Sequence, residues 1–176
     1  MIAERLGLFG RAAVVLFCLL MLQVGLVSDL PVLDAVGDLM LLSAIAAGSI
    51  GGADRGATWG FVAGLLYDLM LDTPFGMSAL TYAVAGFAAG WVAAVVLQPR
   101  WWFHVGTTIG ISLGAVLLSV LIVRMAGSAF VMNDVLRMCL VVTVWNALLI
   151  LPARRLLAWV FDEDDADVPS RFLLTR

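Results

Sequence analysis

The chain has 176 residues, of which 63% are hydrophobic and 13% are charged, and its mean hydropathy is +1.07. An average soluble chain is about 45–50% apolar and about 25% charged, so this composition excludes an ordinary soluble domain and a disordered chain. All ten basic residues are arginines and the net charge is −3, which excludes the dense basic face of a nucleic-acid-binding domain. Two cysteines exclude a disulfide scaffold, and we therefore predict an integral membrane protein.

Six apolar stretches follow one another along the chain, and each is a candidate membrane helix. They cover residues 12–27, 39–50, 57–71, 75–97, 102–123 and 135–160. A helix needs about 20 apolar residues to cross a bilayer, so the third stretch is short for a span and is predicted to be tilted, broken or partly re-entrant. The fold predicted from this pattern is an all-α bundle of six transmembrane helices over residues 1–161, followed by an acidic tail over residues 162–176.

The arginines are unequally divided between the two sides of the predicted bundle. One side carries Arg5, Arg11, Arg55, Arg100, Arg154 and Arg155. The other side carries Arg124 and Arg137 with Asp29, Asp34, Asp38, Asp72 and Asp134. Because positively charged loops stay in the cytoplasm, both termini are predicted to be cytoplasmic.

Glycines four residues apart form stripes on several predicted helices, and such stripes let helices approach closely in lipid. The stripes are Gly48 and Gly52, Gly60 and Gly64, Gly86 and Gly90, and Gly106, Gly110 and Gly114. They predict that the third to fifth helices are buried against one another.

Asp68 stands apart from the other aspartates because it continues the stripe of Gly60 and Gly64 by one more turn. One interpretation places its carboxylate inside the bundle as a packing or ligand contact, with Arg124 or Arg137 as its ion-pair partner. The other interpretation ends the helix early and leaves Asp68 in interfacial water. Asp38 opens the second helix, where a carboxylate is favoured by the unpaired N–H groups.

The residues that most catalytic and metal sites need are missing from the sequence. His104 is the only histidine, there is no lysine, and no zinc-protease, serine-hydrolase, phosphate-loop or Cys-x-x-Cys motif occurs. We therefore predict a protein that is not an enzyme, with no cofactor and no metal.

Residues 60–68, GFVAGLLYD, are followed by residues 74–80, PFGMSAL. This pattern resembles the signature of the rod shape-determining MreD family, in which a Gly-x3-Gly-Leu-x2-Asp run in the third span precedes Pro-x-Gly and a fourth span rich in small residues. The resemblance implies roles in helix packing or partner contact for Gly60, Gly64, Asp68, Pro74, Gly76, Gly86, Gly90 and Asp38. The sequence departs from the family at Gly37-Asp38, where Pro-Asp is common, and at Asp72-Thr73, where a Ser/Gly-rich turn is usual.

The resemblance also implies a function. A protein of this family is a non-enzymatic component of the cell-elongation complex in the bacterial inner membrane. It works with the bitopic partner MreC and, through it, with the MreB filament, the RodA glycosyltransferase and a class B penicillin-binding protein. The sequence leaves open whether the protein forms a homodimer.

The MreD fold is similar to that of the substrate-binding subunits of energy-coupling-factor vitamin transporters, which supplies an alternative function. Those subunits carry small residues four apart on the first helix for docking to a coupling subunit. Here Ala12 and Ala13 are followed four residues later by Leu16 and Phe17, so that stripe is missing. This departure favours the scaffold function.

Overall fold

The computed structural model describes residues 2–27, 37–70, 76–96, 101–125 and 132–165. Within those ranges the chain forms six α-helices and no strand. They are α1 (Ile2–Leu22), α2 (Leu39–Gly51), α3 (Ala53–Asp68), α4 (Met77–Val95), α5 (Trp101–Met125) and α6 (Met132–Asp165). A π-helical turn, Gln23–Val27, follows α1. Each apolar stretch of the sequence coincides with one helix, which confirms the all-helical fold class.

Three of the helices contain an apolar segment long enough to cross a membrane. These segments are Met77–Val95 in α4, Trp102–Met125 in α5 and Asp134–Phe161 in α6. The apolar parts of α1 and α2 are shorter, at Gly10–Gly25 and Leu39–Gly51. The third helix is a continuous α-helix of 16 residues. Helix α6 runs to Asp165, so the predicted start of the acidic tail at residue 162 falls within its last turn.

Helix α2 forms the centre of the bundle. Every residue from Met40 to Gly48 is buried, because α2 packs against α3, α4 and α6. A helix that is apolar on all sides is stable only when other helices surround it, and the composition of α2, with no charged residue, fits that position.

Consecutive helices run in opposite directions, so the bundle has two chemically different ends. We call one the arginine end, because Arg11, Arg55 and Arg154 meet there: the Arg11 guanidinium lies over the ring of Trp159 near the end of α6. The Arg55 guanidinium, near the start of α3, lies over the ring of Phe161. We call the opposite end the aspartate end, because Asp38 at the start of α2 and Asp68 at the end of α3 lie there.

Candidate functional site

The glycines of α3 lie directly against the backbone of α4. A Cβ atom on Gly60 would overlap the carbonyl of Tyr82, and one on Gly64 would overlap the backbone of Ala79. Both glycines are buried. Since backbone atoms cannot move aside as a flexible side chain can, these two positions accept no larger residue without separation of the helices.

The glycines of α4 make the matching contacts in the other direction. A Cβ atom on Gly86 would overlap the carbonyl of Gly56 on α3, and one on Gly90 would overlap the backbone of Ala53. Gly48 of α2 meets the carbonyl of Gly86 in the same way. We call these contacts between α2, α3 and α4 the glycine seam. It is the region in which three backbones approach one another most closely.

At the aspartate end of the glycine seam, the Asp68 carboxylate closes the first turn of α4. Its Oδ2 atom accepts hydrogen bonds from the backbone N–H of Gly76 at 2.9 Å and of Ala79 at 3.3 Å, and its Oδ1 atom accepts one from Ser78 at 3.1 Å. The first N–H groups of any helix have no partner within the helix. Here a carboxylate from the preceding helix supplies that partner, in the place of an N-cap side chain.

Asp68 is only 3% exposed, yet it is also the last residue of α3. Each of the two interpretations made from the sequence is therefore right in one respect. The helix ends at Asp68, as the second expected, and the carboxylate faces inward, as the first expected. The hydrogen bonds described for Asp68 come from backbone N–H groups and not from the arginines at positions 124 and 137. Its negative charge is stabilised by peptide dipoles at the start of a helix.

The backbone conformation of residue 76 explains why the sequence has a glycine just before α4. Its φ angle is +95°, in the left-handed region that other residues rarely adopt. This conformation turns its N–H toward Asp68, while its carbonyl accepts the hydrogen bond of Leu80 at 3.0 Å. Pro74, which the motif also contains, lies outside the described residues.

Asp38 lies at the same end of the bundle and caps α2. Its Oδ1 atom accepts a hydrogen bond from the N–H of Leu41 at 2.8 Å, as an N-cap aspartate is expected to do. Its Oδ2 atom accepts one from the Tyr82 hydroxyl of α4 at 2.6 Å. Asp38 therefore ties the start of α2 to α4, and Tyr82 contacts both this cap and Gly60.

Gln23 extends this polar contact to the end of α1, and sequence analysis did not single it out. Its side-chain N–H donates to the carbonyl of Gly37 and its oxygen accepts from the N–H of Leu39, both at 2.8 Å. Its side chain also faces the hydroxyl of Tyr67, whose ring lies 6.1 Å from that of Tyr82. An amide side chain inside an apolar run was the one available signal.

We call Gln23, Asp38, Tyr67 and Tyr82 the polar cluster. Asp38 bonds to Tyr82, Gln23 and Asp38 bond to backbone groups at the start of α2, and the Tyr67 ring lies against that of Tyr82, so the cluster connects α1, α2, α3 and α4. Among the described residues, no group of three His, Cys, Asp or Glu side chains is placed to hold a metal ion. Chemically, the cluster and the Asp68 cap satisfy buried polar groups and specify how the helices meet.

The stripe on α5 corrects one expectation from the sequence. Gly106, Gly110 and Gly114 are exposed, and within the described parts of the chain no atom of another helix lies within 4 Å of where their Cβ atoms would be. Helix α5 instead packs on α4 and α6 through its opposite face, where Thr108 and Ser112 are buried. The third and fourth helices are buried against each other, but the glycines of the fifth do not take part.

Comparison with known proteins gives no family assignment. Neither protein-family models, nor curated proteins, nor solved structures match the chain.

Proposed function

We propose that the chain is a non-enzymatic, MreD-like scaffold of the cell-elongation complex in the bacterial inner membrane. The observation that supports the proposal is that the residues of the motif take part in one contact between α3 and α4. Gly60 and Gly64 bring α3 onto α4, and this approach places the carboxylate of Asp68 on the first turn of α4 next to Gly76. A motif whose parts serve one interhelical contact suits a protein that depends on a fixed shape.

The proposal includes six membrane spans and cytoplasmic termini. Three helices are long enough to span by themselves, whereas the 13 residues of α2 extend only about 20 Å at 1.5 Å per residue. A short central helix is compatible with a span, since the other helices cover it and its ends are polar caps and turns rather than lipid-exposed backbone. The concentration of arginine at one end supports the orientation.

The hydrogen bonds of the polar cluster favour a scaffold over the solute-binding alternative. A vitamin-binding subunit needs polar side chains that point into an open pocket near the outer side, which is the aspartate end in the proposed orientation. There, the members of the polar cluster hydrogen-bond to one another and to the backbone. Polar groups used in this way support a rigid bundle and are not themselves available to a ligand.

Co-purification tests the proposal directly. The tagged protein, expressed with the MreC-like bitopic protein of the same organism and extracted in mild detergent, is expected to recover that partner. Recovery should be lost for Asp68→Leu and retained for Asp72→Asn, a nearby aspartate that lies outside the described residues. Restoration of rod shape in a strain depleted of its own MreD should follow the same order.

Two results would count against the proposal. The first is recovery of the tagged protein alone while the partner is present in the same membrane. The second is equal and negligible effects of the two substitutions on cell shape. A vitamin that raises the melting temperature of the purified protein, together with recovery of an ATPase module, would establish the transporter alternative instead.

A further inference from the structure

A cleft between α2, α4, α5 and α6 lies toward the arginine end. The empty space in the cleft, including the part open to solvent at its mouth, is about 250 Å³, and about 10 Å³ of it can hold the centre of a water molecule. Part of its lining is apolar, including Ile45 and Ile150. The rest is a polar wall formed by Ser49, His104, Thr107 and Thr108. Polar side chains at this depth of an apolar bundle call for partners.

The hydrogen bonds of the polar wall show which donors it can offer. The Thr108 hydroxyl donates to the carbonyl of His104 at 2.7 Å, and the Ser49 hydroxyl donates to the carbonyl of Ala46 at 2.9 Å. Those two hydroxyls are used within their own helices. The Thr107 hydroxyl and the ring N–H of His104 are the donors that remain for a ligand.

Arg154 is not part of the lining but places a positive charge near the polar wall. It lies one helical turn beyond Ile150 on α6, and its charge acts on the His104 ring. Its Nη1 atom is buried, and among the residues that the structure describes it has no hydrogen-bond acceptor. Arg154 as a whole is half-buried, but a guanidinium does not release its proton in proteins, so its buried Nη1 atom requires an acceptor.

Among the described residues, no acidic side chain hydrogen-bonds to the Nη1 atom of Arg154. The guanidinium carbons of Arg11 and Arg55 lie 5.2 Å and 6.0 Å from the ring centres of Trp159 and Phe161. Asp54, an acidic residue at this end, is exposed on the first turn of α3.

We propose that Arg154, His104 and Thr107 bind the phosphate group of an anionic phospholipid at the mouth of the cleft. A lipid is the source that fits, because Trp102 and Trp159 near this end are 57% and 56% exposed, as tryptophans at a membrane interface are. Basic pockets between membrane helices on the cytoplasmic side take such headgroups. The narrow interior admits one phosphate oxygen, while the acyl chains lie outside on the apolar helices. This inference depends on the membrane placement proposed above but not on any protein partner.

Native mass spectrometry of the purified full chain tests the proposal, with phosphatidylglycerol and phosphatidylcholine as the two probes. The wild type is expected to retain phosphatidylglycerol in preference to phosphatidylcholine. Arg154→Gln should weaken phosphatidylglycerol retention about tenfold, the effect of losing one charge-assisted hydrogen bond. Arg155→Gln is the matched control, since it removes the same charge from an exposed neighbour and should change retention less than about twofold.

A second variant keeps the proposal testable if Arg154→Gln does not fold. Thr107→Val removes a hydroxyl without changing charge, and it should weaken phosphatidylglycerol retention about threefold while phosphatidylcholine retention is unchanged. Equal effects of Arg154→Gln and Arg155→Gln, or no effect of Thr107→Val, would overturn the site. Thermal protection by inorganic phosphate, without a preference for phosphatidylglycerol, would overturn the lipid as its occupant.

Discussion

Two sets of glycines with the same spacing have opposite surroundings in this bundle. On α3 and α4, Gly60 and Gly86 face the backbone of a neighbouring helix so closely that no side chain fits. On α5, Gly106, Gly110 and Gly114 face away from the rest of the described chain. The spacing of four residues places glycines on one face of a helix, but it does not determine whether that face meets another helix.

The difference comes from what accompanies each stripe. The stripe of α3 ends in Asp68, which bonds to the first turn of α4, and the stripe of α4 begins one turn after Tyr82, which bonds to Asp38. On the exposed side of α5 the glycines are accompanied by apolar residues such as Leu113 and Leu117. Small residues permit a close approach, whereas polar groups with specific partners select which helices make it.

Among the substitutions considered for this comparison, Gly86→Leu is expected to lower the stability of the bundle most. The new side chain would overlap the carbonyl of Gly56, so α3 and α4 must separate. We therefore expect the free energy of unfolding to fall by about 4 kcal/mol, or the variant not to fold. Unfolding by SDS from mild detergent micelles, followed by circular dichroism, measures this. If the variant keeps wild-type stability, the glycine seam is not the closest contact of the bundle.

Removal of the Asp68 cap is expected to have the second largest effect. Asp68→Leu leaves the part-buried N–H groups of Gly76 and Ser78 and the buried N–H of Ala79 without their acceptor, and we expect the free energy of unfolding to fall by about 3 kcal/mol. Asp68→Asn keeps one acceptor oxygen and should lose about half as much. The same SDS titration compares the two, and an Asn variant as damaged as the Leu variant would show that negative charge, rather than the number of acceptors, is what α4 requires.

A smaller effect is expected for Tyr82→Phe, which deletes only the hydroxyl that donates to Asp38. The carboxylate keeps its bond from Leu41, so we expect a loss of about 1.5 kcal/mol. Tyr67→Phe is the matched control, because it removes a hydroxyl whose partner Gln23 is uncharged, and it should lose about 0.5–1 kcal/mol. The reverse order would mean that Gln23, not Asp38, anchors the polar cluster.

The smallest effect is expected for Gly110→Leu, the counterpart of Gly86→Leu on the other stripe. No described atom obstructs the new side chain, and leucine favours a helix over glycine, so stability should be unchanged or rise by up to about 1 kcal/mol. A loss as large as that of Gly86→Leu would remove the distinction between the two stripes.

Much of the helix layout could be predicted from the sequence, because apolar length and turn residues determine where membrane helices start and stop. The stripes of α3 and α4 followed from helical spacing, and the inward direction of Asp68 was one of two interpretations that the spacing left open. The partner of Asp68 did not, since a capping contact with residues 76–79 depends on how two helices meet. Gln23 was missed for the same reason, because its hydrogen bonds reach Gly37 and Leu39 across a connection.

The position of Asp68 also bears on how the protein is made. The acid belongs to α3, but the N–H groups that stabilise its charge belong to α4. Part of the polar groups of each helix lacks a partner until the other helix is present, so we expect α3 and α4 to fold as one helical hairpin. If both helices span the membrane as proposed, the cap on α4 can form only after the ribosome has completed α4, so α3 would reach its final position in the bilayer together with α4.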